Sequence, residues 1–236
     1  MKNRTMKIRA MQSKYKVQWI IWLILVVVVL IGTVLFKISV VVNTVHLKLS
    51  PQQTAEVQIF RLFPASLYMQ LAFQRIPRER PELGKFSTRA DSDAQSAQLF
   101  FDQPGAPVKL LVQSPEQQMV FEATPVSSRS QDTLRRDLLP YVDDGDPHAM
   151  TWRNRQNFAL PSGRTTLKVT VIDVGEKIQG EDIVLEIEPP LSIKWVQENY
   201  GVLWWFMFWQ FYAGILLLYG AVLYYFSKPF VKSTAE

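Results

Sequence analysis

The side chains best suited to ligate or react in this chain are few. They are His46, His148 and a cluster of aspartates at Asp143, Asp144 and Asp146. There is no cysteine, which removes thiolate nucleophiles, thiolate metal sites and disulfides together. His46 lies on the polar parity of an alternating stretch, and His148 follows Pro147 in a turn. No G-x-S-x-G elbow, phosphate-cradling glycine loop or H-E-x-x-H helix accompanies them. The three aspartates could offer oxygen ligands to calcium. Their spacing lacks the alternating acids and distal glutamate of an EF-hand loop, so a solvated Asp-Gly turn is expected, with no metal and no other cofactor. Carboxylate pairs acting as acid and base leave no spacing signature, so a carboxylate hydrolase is the enzymatic class that the sequence leaves open. The expectation is a protein that is not an enzyme.

A different kind of chemistry sits in the stretch 203–226, where eleven of twenty-four residues are aromatic and a single glutamine, Gln210, stands among them. At 100° per residue, Gln210, Ala213, Gly214, Leu217, Gly220 and Ala221 share one helix face. Small residues there permit close backbone approach, and a glutamine amide in an apolar medium needs a hydrogen-bond partner. This face is expected to pack on another membrane protein, since the first apolar stretch offers Gln210 no partner except Thr33.

Two elements must position that face. Residues 17–36 and 203–226 are uncharged runs, and at about 1.5 Å per residue each can cross a hydrocarbon core of about 30 Å. Trp19, Trp22, Trp204, Trp205, Tyr224 and Tyr225 fall near the ends of these runs, as interfacial anchors do. The formal net charge of +5 is concentrated at the flanks: residues 1–16 carry six basic side chains and no acid, while 37–197 hold 18 basic and 19 acidic ones. A domain with that balance offers no basic surface for nucleic acid. The positive-inside rule places both termini in the cytoplasm and the middle outside, so the first run reads as an uncleaved anchor of a bacterial inner-membrane protein. The resulting division is a basic tail (1–16), a first span (17–36), a periplasmic domain (37–198), a second span (199–227) and a short tail (228–236). The tail at 1–16 is expected to be disordered or to lie on anionic head groups.

Between the spans, apolar and polar residues alternate over short stretches: 44–49, 56–63, 67–74, 97–101, 108–113, 118–123, and the pair 166–171 and 183–188. These predict an antiparallel, Ig-like β-sandwich. Leu134, Leu138 and Tyr141 recur at helical spacing and predict one short helix over 130–142. Residues 75–95 are read as a long exposed loop whose basic side chains Arg78, Arg80 and Lys85 could contact an anionic ligand.

The expected role is an accessory or assembly subunit of a membrane complex, such as a transporter, channel, synthase or secretion system. Its partners are the bilayer and an integral membrane protein, and its oligomeric state is open. The alternative is a periplasmic polymer- or ligand-binding module. Two spans around a periplasmic domain, with prolines before the second, resemble polysaccharide chain-length regulators in topology alone, because their outer domains are helix-rich and this one is strand-rich.

Overall fold

The computed structural model describes residues 2–76, 79–88, 98–141, 149–151 and 157–227. The chain divides into two compact units, Ser39–Asn199 and the pair of segments Met1–Ile38 and Tyr200–Glu236.

In the central unit the alternating stretches become strands. Eight of them form one antiparallel sheet: β1 (Asn43–Lys48), β2 (Thr54–Arg61), β4 (Met69–Gln74), β7 (Val108–Gln113), β8 (Gln118–Arg129), β9 (Thr133–Pro140), β12 (Gly163–Val174) and β13 (Asp182–Ile187). Their order is β1-β13-β4-β9-β8-β7-β12-β2. The two edge strands, β1 and β2, follow one another in the chain and run close together, so the sheet curls until it is nearly closed. Short strands β3 (Ala65–Ser66) and β11 (Ala159–Leu160) pair beside it. β5 (Lys85–Thr88), β6 (Gln98–Gln103) and β10 (Ala149–Thr151) make a three-stranded sheet.

Where the sequence predicts two facing sheets, the structure has one that wraps on itself. The inward residues are those the alternation marks: Leu71 and Phe73 on β4, Val108, Leu110 and Val112 on β7, Leu167, Val169 and Val171 on β12, and Ile183, Leu185 and Ile187 on β13 are all buried. Period-two patterning reports which side of a strand is covered, but not whether another sheet or the far wall of the same sheet covers it.

Residues 133–140 form strand β9 instead of the expected helix. Leu134 and Leu138 are four apart, a spacing that fits one helical face and also one strand face. Pairing with β4 and β8 on both sides decides between the two. The loop at 75–95 is also more structured than expected, since it contains a 3₁₀ turn (Pro81–Leu83) and β5.

In the other unit, α1 (Lys2–Ser39) is a single helix, so the N-terminal stretch, expected to be disordered or to lie on head groups, is helical from its second residue. Residues 1–16 contain no glycine or proline and many Lys, Arg, Met and Gln, all good helix formers. After β13 the chain enters α2 (Gly201–Trp204), a 3₁₀ turn (Trp205–Phe208) and α3 (Trp209–Ser227). The two helical segments are long and apolar enough to cross a membrane, and their most apolar windows are only 6% and 11% buried within the chain. The core helix of a soluble protein would be mostly covered.

Candidate functional site

The helical unit packs along two seams. On α1 the covered positions Trp19, Trp22, Val26, Val29, Thr33 and Phe36 recur in alternating steps of three and four residues. On the returning segment Phe206, Trp209, Ala213, Leu216, Gly220 and Leu223 do the same. A step averaging 3.5 residues is the pattern that keeps two helices in contact along their length. The seams meet antiparallel. The Trp22 indole N–H donates to the Leu216 carbonyl at 2.7 Å, and its ring lies over Gly220, where a Cβ would come within 3.1 Å of it. Toward the other end, the Phe206 ring fills the space beside Gly32 that a side chain would need.

This packing splits the face predicted from sequence. Gly220 is buried under Trp22 and Ala213 is half-buried, both within the hairpin. Gln210, Gly214, Leu217 and Ala221 stay exposed. Thr33, the partner that α1 could have offered, gives its hydroxyl to the Val29 carbonyl of its own helix at 2.7 Å. The Gln210 amide makes no hydrogen bond among the described residues.

The residues read as interfacial anchors fall into two groups. Trp22 is a clasp between the helices, and Trp19 meets its ring edge-on at 5.4 Å. Trp205, Tyr224 and Tyr225 remain exposed on the returning segment, with Trp204 stacked edge-on against both Trp205 and Phe208.

The central unit holds the other candidates. Arg78, the aspartate cluster and His148 lie outside the described residues. Arg80 is not available to a ligand. Its guanidinium grips Glu181 through two bonds of 2.9 and 2.8 Å, reaches the Gln74 carbonyl at 3.0 Å and pairs with Glu82. Its side chain is 7% exposed. The Glu181 hydrogen bond raises the Arg80 pKa against the burial that lowers it, so the cation is held. Lys85 is exposed and borders a cleft of about 420 Å³ together with Arg75, Arg129, Glu79 and Gln103. The sequence places Arg75 in the same basic stretch as Lys85, but Arg129 is missed because only tertiary folding brings it beside them.

A second charged site was also invisible in the sequence. Asp137 on β9 and Glu188 just after β13 both have raised pKa values. Burial is the main cause for each; Ser127 and Gln70 soften it for Asp137, while the Asp137 charge adds to it for Glu188. Gln70 donates to Glu188 at 2.5 Å. This is the kind of carboxylate pair that acid–base chemistry uses, yet neither residue lines the basic cleft or the second cleft, of about 410 Å³, beside the stacked rings of Tyr68 and Trp195. Among the described residues, no three His, Asp or Glu side chains gather where one ion could reach them.

Comparison with protein-family models and with curated proteins gives no match. Among solved structures, the chain is similar to a crystal structure of a protein from Sulfurospirillum deleyianum. The identity is 10% over 63% of this chain and 97% of the other, with a TM-score of 0.37, a likeness that carries no argument about role.

Proposed function

We propose that this chain is a non-enzymatic accessory or assembly subunit of a bacterial inner-membrane complex. It is anchored by α1 and the 201–227 segment, with both termini in the cytoplasm and the curled β-domain in the periplasm. The observation that carries the proposal is the face of α3 left open after the two helices have packed on each other. Gln210 sits there without a hydrogen-bond partner among the described residues, flanked at helical spacing by Gly214, Leu217 and Ala221. In lipid, an amide with no partner is unfavourable, and a small-residue surface beside it lets a third helix approach closely enough to supply one, a bond contributing about 0.6–2 kcal/mol. The basic flank at residues 1–16 supports the orientation.

The test is co-purification from native membranes in a mild detergent, comparing the wild type with Gln210→Leu combined with Gly214→Leu. An integral membrane protein held stoichiometrically by the wild type is lost from the double variant, while the variant inserts and folds normally. Recovery of the wild type alone would remove the proposal. Retention of the same partner by both proteins would move the contact elsewhere.

The alternative reading, a periplasmic ligand- or polymer-binding module, is favoured by one observation, the basic cleft at Arg75, Lys85 and Arg129.

A further inference from the structure

The basic cleft is held by fixed parts of the fold. Arg75 directly follows β4, Arg129 ends β8 where the chain turns into β9, and Lys85 opens β5. The wall between them is rigid: Leu83 is fully buried, Arg80 is tied to Glu181, and the Ala106 amide donates to the Glu82 carbonyl at 2.7 Å. Gly84 and Gly105 meet backbone to backbone with φ of 76° and 79°, so a side chain at either position would collide with the other strand. Val126 and Leu134 contribute apolar lining.

The charges around this cavity do not cancel. Arg80 is held by two glutamates that exceed its charge by one, so Arg75, Lys85 and Arg129 stand against Glu79 and that excess, and one positive charge remains over. Arg75 uses one terminal nitrogen on the Ser130 carbonyl at 3.0 Å, and its other terminal nitrogen makes no hydrogen bond among the described residues. Arg129 and Lys85 are exposed at the rim, with no hydrogen bond made by either cationic head among the described residues. Two guanidinium forks and an ammonium around one cavity match a group with several charged oxygens.

We infer that this cleft binds an oxyanion of the phosphate class carried by a soluble molecule. The chain's connectivity, taken with the topology proposed above, favours a soluble source. β13 begins beside the cleft at Glu181 and Asp182, where Asp182 pairs with Lys48 at the end of β1. The opposite end of the same ladder, Ile187 against Asn43, is where the chain continues to and from the helices. Six residues of strand, on the order of 20 Å, separate the two ends. The choice of a soluble source over bilayer head groups rests on the topology proposed above; the binding itself does not.

The probe is inorganic pyrophosphate, titrated calorimetrically into the full-length protein in phosphatidylcholine nanodiscs. Saturable one-to-one binding is expected, weakened at least about tenfold by Arg129→Ser and by Lys85→Ser, with most of it restored by Arg129→Lys. Arg164→Ser, an exposed arginine outside the cleft, should bind as the wild type does. Equal thermal midpoints among these surface variants show that folding is not the cause. Absence of saturable binding, or equal loss in Arg164→Ser, overturns the inference. Suppression of binding when phosphatidylglycerol replaces part of the phosphatidylcholine means that lipid phosphates occupy the site, which overturns the soluble source. Gln210→Leu with Gly214→Leu should leave pyrophosphate binding unchanged, so failure of the docking proposal and failure of this one are read separately.

Discussion

Arg136 and Gln210 are both polar side chains set among apolar neighbours, and the two units of the chain treat them in opposite ways. Arg136, on β9, is 1% exposed inside the curled sheet. Its guanidinium donates to the carbonyls of Thr124 at 2.6 Å, Ala106 at 2.7 Å, Ala123 at 3.1 Å and Pro104 at 3.4 Å. Two of those acceptors lie in β8 where its register against β9 slips between Ala123 and Val126. Burial pulls the Arg136 pKa down to about 10, so the group stays charged at neutral pH within its cage of oxygens. Gln210 has no such cage and faces outward. The β-domain has met the needs of its most deeply buried cation from within. Gln210 on the hairpin lacks such a cage, and on an apolar helix surface that difference is what makes its face a candidate docking surface.

The comparison breaks most visibly if Arg136 is removed. Arg136→Ala should cost about 3–5 kcal/mol, because it leaves both a cavity and several carbonyls without donors. Gln210→Leu should shift the stability of the β-domain by no more than about 0.5 kcal/mol. Chemical denaturation followed by near-ultraviolet circular dichroism reads both. If Arg136→Ala unfolds with the wild-type midpoint, the caged cation is not part of what stabilises the sheet.

A smaller effect is expected at Asp137. Burial raises its folded pKa above the ordinary value of 3.8. As pH rises through that value the unfolded chain ionises first, so the folded state loses stability until the folded carboxyl also ionises; below it both states are protonated and no penalty remains. Asp137→Asn lacks this loss. Its melting temperature should match the wild type near pH 3.5 and exceed it by a few degrees at pH 7. A difference that does not change with pH would mean that burial of the charge is not its origin.

Much of this architecture was legible in the chain. Alternation in β12 and β13 marks strands with one covered face, and the two uncharged runs mark long apolar helices. What failed did so where one residue pattern serves two structures. Leu134 and Leu138 fit a helix face as well as a strand face, and Arg136 between them, which points inward with them, disguises the alternation. Pro125 argues against a strand interior, but it sits in β8 where the register shifts and a missing amide is tolerated. On α3 the small-residue face could be read from spacing. That Gly220 would go under Trp22 while Gly214 stayed open depends on the register between helices, which no local pattern encodes. The arrival of Arg129 beside Arg75 and Lys85 has the same origin, because the end of β8, distant in sequence, brings it to their cleft.

The central claim, that the open face of α3 meets another membrane protein, is tested most directly by site-specific photocrosslinking in native membranes. A photoreactive residue is placed in turn at Leu217, on the open face, and at Leu216, in the seam with α1. The account predicts a discrete adduct to one integral membrane protein from position 217, and none from position 216, whose crosslinks stay within the chain. Adducts to lipid alone, or only to a second copy of this chain, from position 217 would contradict it.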